Sequence, residues 1–547
     1  MDGSLRIAVV VFCLGVASAG VRPPRVTAED ASPPPEVGLH HHPVTTASVE
    51  AQRYFDYGMT LMYAFNHEAA VRAFQRAAEL DPKAAMPQWG IALALGPNIN
   101  LDVDPERERA AAAAVERAKS LARRAPQPER DYVEALSRRY SPHPNADLKA
   151  LAVEYSMAMG ELSKRYPDDL DAATLYAESL MDLRPWRLWN ADGTPAEGTV
   201  VIVAVLESVL RRDPEHIGAN HYYIHAIEAS GHPERALASA KRLETRVSWA
   251  GHLVHMPAHI YMQLGDYAAA ARSNEAGVAA DRAYIERTGA QGVYPIMYYS
   301  HNLHFLSDAY GMEGRFSDSR RAAEQLVANV QPAVRDMPMG EFLMGQPMLV
   351  DLRFARWSEV LGASEPAADL PITRAFWRFA RGVAQAATGK PRVAEMERAA
   401  FASARQQVPA DAVYGDTGLN SAHAVLDLAS LILDARIARS KGDLSTAVAH
   451  LRKAVEAQDG LAYDEPPTWF YPVRESLGAT LLLKKRYAEA EEVFRADLQH
   501  NPRNGRSLFG LLESLTRQGR AADASWVRRQ FETAWQNAES PLRIEDL

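Results

Sequence analysis

Histidines recur at matching intervals in the middle of this chain. Three pairs follow one another: His221 with His225, His255 with His259, and His301 with His304. The first two pairs share a four-residue spacing and are offset by 34 residues, which is the period of the tetratricopeptide (TPR) helical hairpin. Because imidazole is the commonest metal ligand in proteins, this recurrence indicates a metal site.

The repeat alignment predicts where these side chains point. With Gly265 aligned to the turn of a repeat, His252, His255 and His259 take positions 2, 5 and 9 of its first helix. These positions face the concave groove of a TPR array, whereas other positions pack the repeat. Residues three and four apart lie on one helix face. We therefore expect the histidines to project into the groove and not into the packing layer.

Imidazoles from adjacent helices can meet at one ion, because packed helices lie about 8–10 Å apart. The predicted metal ligands are His221, His225, His255, His259, His301 and His304. Additional candidate ligands on the same inner face are His252, Glu228, Asp308 and Glu178. Glu228 and Asp308 are also the candidate catalytic bases if the site performs chemistry.

The ligand set narrows the choice of metal. Cys13 is the only cysteine, so thiolate sites are excluded from the rest of the chain. Imidazole-rich sites suit copper, zinc and iron. Copper is favoured by the general order of affinities, with zinc and iron as alternatives. Six histidines on three helices resemble dinuclear type-3 copper sites in ligand type alone.

The elements that must position these residues are TPR-type helical hairpins. With Pro82 at repeat position 32, the consensus packing positions hold Tyr54, Tyr57, Gly58, Leu61, Ala70, Phe74 and Ala77. A C-terminal repeat before Pro502 fits equally well, with Leu477, Gly478, Leu481, Ala490 and Phe494. No segment alternates with period two, so essentially no sheet is expected.

We therefore predict an all-α TPR solenoid, a right-handed superhelix, over residues 49–535. Its expected irregular parts are residues 97–127 and 183–198, and its histidine-lined concave section is residues 216–315. Trp186 and Trp189 in the second irregular part are expected to pack on the helices. Residues 536–547 form a predicted C-terminal tail.

The N-terminal residues have the pattern of an export signal. Arg6 precedes an apolar run, and Ala17-Ser18-Ala19 offers small residues for cleavage, which predicts a signal peptide over residues 1–19. Residues 20–48 are rich in proline and are expected to form an extended linker that carries His40-His41-His42. The expected location is periplasmic or secreted. A net charge of −9 without a basic stripe argues against nucleic acid, and no membrane span is expected.

Several short motifs together resemble a family of bacterial, exported TPR-repeat proteins with a histidine-rich groove. They are His40-His41-His42-Pro43, Phe65-Asn66-His67-Glu68-Ala69-Ala70, Trp89-Gly90-Ile91-Ala92, Gly218-Ala219-Asn220-His221-Tyr222-Tyr223-Ile224-His225, His255-Met256-Pro257-Ala258-His259-Ile260-Tyr261, His301-Asn302-Leu303-His304 and Tyr463-Asp464-Glu465-Pro466-Pro467. The resemblance implies a TPR solenoid over nearly all of the chain after the signal. It also draws attention to His40–His42 and His67, because a linker end folded into the groove would bring extra ligands.

Three functions are compatible with these features. The leading hypothesis is ligand binding by the histidine cluster, with a metal ion as the expected partner. The second is a metal-dependent oxidase or hydrolase, dicopper-like in its ligands, which needs an open coordination position. The third is a metal-free scaffold whose groove binds a peptide, a protein or a small molecule.

Overall fold

The computed structural model describes residues 40–141, 143 and 145–547. The predicted signal peptide and linker residues 20–39 lie outside the described residues. The chain divides into two compact units. The N-terminal unit comprises the described residues of Met1–Asn190 with Pro195–Ala226, and the C-terminal unit comprises Ala191–Thr194 with Ile227–Leu547.

The described residues of the N-terminal unit form nine α-helices, the last of which ends one residue into the second unit. They are α1 (Val49–Tyr63), α2 (His67–Leu80), α3 (Met86–Leu95), α4 (Pro105–Ala122), α5 (Gln127–Ser137), α6 (Leu148–Arg165), α7 (Leu170–Met181), α8 (Thr199–Arg212) and α9 (Ile217–Ile227). Ser48 begins α1 by accepting a hydrogen bond from the Ala51 N–H, as helix N-caps do.

The C-terminal unit continues the helical hairpins. Its α-helices are α10 (Leu237–Arg246), α11 (Gly251–His255), α12 (Pro257–Gln263), α13 (Tyr267–Thr288), α14 (Val293–Met312), α15 (Phe316–Val330), α16 (Gln346–Arg353), α17 (Trp357–Gly362), α18 (Pro371–Ala387), α19 (Pro391–Arg405), α20 (Ala422–Ser440), α21 (Leu444–Asp459), α22 (Val473–Leu483), α23 (Tyr487–His500), α24 (Gly505–Arg517) and α25 (Ala521–Ala534). Short 3₁₀ segments are Pro233–Ala236, Pro338–Gly345 and Ile544–Asp546.

The expected packing of large against small residues is present in both units. In the N-terminal unit the fully buried Phe74 ring fills the space that a side chain would need at Gly58, where an added Cβ would lie 2.5 Å from the ring. In the C-terminal unit the Phe494 ring packs in the same way against Gly478 and Gly510. A Cβ added at these glycines would lie 2.5 and 2.1 Å from that ring. These contacts confirm the all-α TPR-type hairpin architecture predicted from the repeat pattern.

Four local features add detail to the predicted architecture, and the small hairpin among them agrees with the expectation of essentially no sheet. Residues 97–127 contain the regular helix α4, because Asp104 caps it and Pro105 fits its first turn. Residues 40–48 have no helix, but the His40 and His42 side chains are buried in the N-terminal unit, so this part is not a free linker. The tail is anchored, since Arg436 donates to the Leu547 carbonyl at 2.9 Å. A minimal hairpin pairs β1 (Val413–Tyr414) with β2 (Asn420–Ser421).

The insertion of residues 183–198 packs on helices, as expected. Trp189 Nε1 donates to the Ala226 carbonyl at 2.8 Å, and the Trp186 ring meets the His225 ring edge-on at 5.3 Å. No helix in residues 40–141, 143 and 145–547 combines the length and apolar character needed to cross a membrane.

Candidate metal centre

Three histidines of the C-terminal unit lie on two segments that meet side by side. His255 ends α11, His259 lies in α12, and His301 lies in α14. Pro257 divides α11 from α12 because it cannot donate a helical hydrogen bond. Met256 between them keeps helical angles, so the four-residue spacing still places His255 and His259 on one face.

These side chains are buried, contrary to the expected open groove. His255 and His259 are both 0% exposed. Their inner side is covered by the loop that follows α21, because Glu465 of that loop contacts His259. The groove-facing orientation of these histidines stays a prediction, and the loop that contacts His259 lies outside the repeat pattern.

Hydrogen bonds fix the orientation of the His255 ring. Asn274 on α13 uses its amide nitrogen to donate to the Ala270 carbonyl at 2.8 Å, so its oxygen faces His255. His255 Nδ1 lies 2.7 Å from that oxygen and must donate to it. The proton of the neutral ring is thereby held on Nδ1, and Nε2 presents a lone pair.

His259 is oriented by carboxylates. Its Nδ1 forms ion-pair contacts with Glu228 and, at 2.9 Å, with Glu465 Oε2. Burial lowers the pKa of His259, but these two carboxylates outweigh burial and raise the pKa to about 10. Glu228, a candidate catalytic base, contacts this ring, and its role as a base stays a prediction.

The two rings point their remaining nitrogens at one another. His255 Nε2 and His259 Nε2 are 2.8 Å apart. The Nδ1 atom of each ring faces an acceptor, so two neutral rings that carry their proton on Nδ1 would face each other with lone pairs only. One shared proton on His259, or a cation bound to both nitrogens, is required between them.

His301 completes the cluster. One ring nitrogen from each of His255, His259 and His301 lies within 4.8 Å of the others. His301 Nδ1 is 3.6 Å from Asp416 Oδ1, and Phe305 contacts all three rings at centroid distances of 4.7 to 5.1 Å. Histidine ligands typically hold their second nitrogen against a carboxylate or carbonyl in this manner.

Two loops carry acidic residues that contact the histidines, and hydrogen bonds connect the two loops. Asp416 lies in the turn between β1 and β2, and Glu465 lies in the loop after α21. Asn420 donates to the Ala462 carbonyl at 3.0 Å and accepts from the Ala462 N–H at 2.8 Å. The two acidic side chains are therefore positioned by backbone contacts and not by the helices alone.

The other residues predicted for the C-terminal unit lie around this centre. His304 pairs with the second oxygen of Asp416 at 3.0 Å. Burial lowers the pKa of His304, but Asp416 and neighbouring acids outweigh burial and raise it. His252 packs its ring against Tyr298 and His255. Asp308 lines a separate pocket and belongs to no group of potential ligands found among the described residues.

The predicted residues of the N-terminal unit have surroundings of their own. His221 and His225 lie one turn apart in α9, with ring centroids 4.9 Å apart. His221 Nδ1 lies 2.6 Å from the Tyr63 carbonyl and donates to it, the arrangement seen at His255. Glu178 instead lies with Asp182 and Arg139, and burial followed by the Asp182 charge raises its pKa well above the usual range. Their membership of one metal site with the C-terminal histidines stays a prediction.

A second histidine cluster, not predicted as a site, surrounds Asp171 in the N-terminal unit. Tyr63 Oη donates to Asp171 Oδ1 at 2.5 Å, and His42 Nδ1 lies 2.8 Å from Oδ2. His40 and His216 reach Oδ1 at 3.1 and 3.3 Å through Nε2. Burial raises the pKa of Asp171, but the histidines outweigh it and hold the pKa well below the usual range.

The polarity of this second cluster is opposite to that of the first. His216 Nδ1 accepts a hydrogen bond from the Ala219 N–H at 3.1 Å, so the ring proton lies on Nε2 and points at Asp171. The Asp171 carboxylate therefore acts as the acceptor for the surrounding side chains. The cluster connects residues 40–42 to α7 and to His216, which directly precedes α9. The run His40–His42 was the one feature of the sequence that could have indicated this cluster. No sequence pattern singles out Asp171.

Residues 51–83 match the tetratricopeptide repeat. Curated protein sequences include no match to this chain. Among solved structures, a human IFIT1 dimer with m7Gppp-AAAA is 10% identical, covering 91% of this chain and 96% of that chain at a TM-score of 0.33. Yeast Tom70 is 11% identical, covering 88% and 90% at a TM-score of 0.26. At these scores the structures contribute no functional argument.

Proposed function

We propose that this chain binds a transition-metal ion through His255, His259 and His301. The observation that carries the proposal is the convergence of two Nε2 atoms to 2.8 Å, while His255 Nδ1 donates to Asn274 and His259 Nδ1 lies against Glu465. A site with ligands at about 2.0–2.1 Å needs tetrahedral nitrogens roughly 3.3 Å apart, so a small opening of the pair admits the ion.

Nitrogen donors and carboxylate partners suit copper and zinc better than the hard cations that prefer oxygen. Copper is the first candidate on general affinity order, and zinc and iron are the alternatives. Burial supports tight binding, because the ring positions are set before the ion arrives and little side-chain entropy is lost.

The two other hypotheses are supported differently. A TPR-type fold fits a protein-interaction scaffold, but Glu465 and its loop cover the histidines on the face where a peptide would have to reach them. A metalloenzyme is supported by a pocket of about 240 Å³ that shares Phe305 and Glu465 with the centre. That pocket offers a substrate a place beside the ion.

Metal retention tests the proposal. The full chain, purified without a metal column, is mixed with copper, zinc or iron, freed of excess ion and analysed for bound metal. We expect the double variant His255→Gln and His259→Gln to hold about one ion per chain fewer than wild type. His232→Gln is the matched control, since that side chain is 73% exposed. Equal retention in the double variant, with helical circular dichroism preserved, would refute the proposal.

We also propose that the chain is exported, on the basis of the apolar segment and the Ala17-Ser18-Ala19 site alone. N-terminal sequencing of the protein from its native host tests this: a first residue near Gly20 supports export, and an intact Met1 contradicts it.

A further inference from the structure

Several charged residues line the pocket beside the histidine centre, and two of them do not pair with each other. Asp308 on α14 and Arg353 at the end of α16 both line it, within the C-terminal unit. Burial raises the pKa of Asp308 to about 6, and the charges of His304 and Arg353 act in the opposite direction. No ion pair joins the two groups in the described part of the chain.

Among the described residues, Asp308 lacks a hydrogen-bond partner, and Arg353 is satisfied at only one of its two terminal nitrogens. The Arg353 side chain is only 6% exposed, and its Nη1 is buried without a hydrogen-bond partner among those residues. Its Nη2 lies 3.4 Å from Glu475. Buried polar groups are nearly always satisfied in folded proteins, so Arg353 is a candidate for contact with a ligand.

Part of the wall is aromatic. Tyr267, Trp469, Phe470 and Tyr471 line the same pocket. Its volume of about 240 Å³ lies below the usual range for drug-sized ligands, so the ligand should be small. A neighbouring acid and base within an aromatic pocket complement a molecule with opposite charges at one end and an apolar body.

We propose that this pocket binds a free amino acid with an apolar or aromatic side chain. Its ammonium group would be held by Asp308 and its carboxylate by Arg353, and its side chain would pack on the aromatic wall. Guanidinium and carboxylate pair strongly, and the ammonium supplies the donors that Asp308 lacks. This site is separate from the proposed metal ligands and does not require an ion.

Titration calorimetry of the full chain, stripped of metal by a chelator, tests the proposal with three probes. L-phenylalanine carries both charges, 2-phenylethylamine lacks the carboxylate, and 3-phenylpropionate lacks the ammonium. We expect L-phenylalanine to bind at least about tenfold more tightly than either of the others, since each charged hydrogen bond contributes a factor of that size. Similar affinities for all three, or no binding of L-phenylalanine at millimolar concentration, would overturn it.

A variant separates charge recognition from packing. Asp308→Asn keeps the shape of the side chain and should weaken L-phenylalanine about ten- to hundredfold, while 3-phenylpropionate binds as before. Asp427→Asn is the control, because Asp427 pairs with Arg405 at 2.7 Å and is 61% exposed. An unchanged affinity in Asp308→Asn would contradict the assignment. Because the protein is metal-free, failure of the metal proposal would not affect this result.

Discussion

At the scale of single residues, the two clusters differ in the direction of their hydrogen bonds. His255 donates through Nδ1 to Asn274 and directs Nε2 to the centre. His216 accepts at Nδ1 and directs its proton to Asp171. Only the first arrangement leaves a nitrogen lone pair for a cation. The histidine spacing could not show this, because it depends on side chains elsewhere in the chain.

Asn274 is therefore predicted to control metal affinity without being a ligand. Asn274→Ala removes the acceptor that holds the His255 ring and should weaken metal binding about 10–100-fold. Competition with a chromogenic chelator measures the affinity. Asn274→Asp retains an acceptor oxygen and should bind within a few-fold of wild type. If Asn274→Ala binds as tightly as wild type, the orientation argument is wrong.

At the scale of elements, the repeat pattern predicted the helices and their packing better than the site. The consensus residues around Phe74 and Phe494 occupy their expected contacts. Asp416 and Glu465 could not be predicted as partners of the histidines. Both acidic residues are distant in sequence from the helices α11, α12 and α14 that carry the histidines. They lie in loops that follow no repeat period, so only tertiary packing brings them to the rings.

Gly510 on α24 is predicted to be intolerant of a side chain. An added Cβ would lie 2.1 Å from the Phe494 ring, so Gly510→Ala should lower the free energy of unfolding by about 1–3 kcal/mol. Gly362→Ala at the end of α17 meets nothing within 4 Å and should be nearly neutral. Urea denaturation compares the two, and equal effects would refute this packing account.

The Asp171 cluster is predicted to stabilise the N-terminal unit in a defined pH window. Its depressed pKa means that the contribution of Asp171 is present above its ordinary value of 3.8 and is lost as the pH falls through the folded value. Burial lowers the pKa of His42, but Asp171 outweighs burial and raises it, so the contribution of His42 is present below 6.5 and is lost as the pH rises through the folded value.

Asp171→Asn should therefore lower the free energy of unfolding most, by about 1–3 kcal/mol, between roughly pH 4 and 6.5. Urea denaturation of both proteins across pH 3–9 measures the difference. A stability difference that does not vary with pH would show that Asp171 acts through shape alone.

At the scale of the whole molecule, an all-α TPR-type protein was predictable, whereas the enclosure of the histidines was not. The repeat spacing predicts which residues lie on the same face of neighbouring helices. It does not predict which other segment of the chain packs over that face. The account predicts that the ion stabilises the folded chain. At a free-ion concentration 100 times Kd the gain is about 2.7 kcal/mol.

Thermal unfolding of the metal-stripped chain with and without added ion measures this gain. The unfolding midpoint should rise in wild type and in His232→Gln, and it should not rise in the double variant of His255 and His259. An equal rise in the double variant would place the stabilising ion elsewhere.

The most direct test is anomalous X-ray diffraction from crystals of the full chain loaded with copper or zinc. The account predicts a peak about 2.0–2.1 Å from both His255 Nε2 and His259 Nε2, with the two nitrogens moved apart from 2.8 Å. A peak found only elsewhere, for example beside Asp171, with these two nitrogens still in contact, would contradict it.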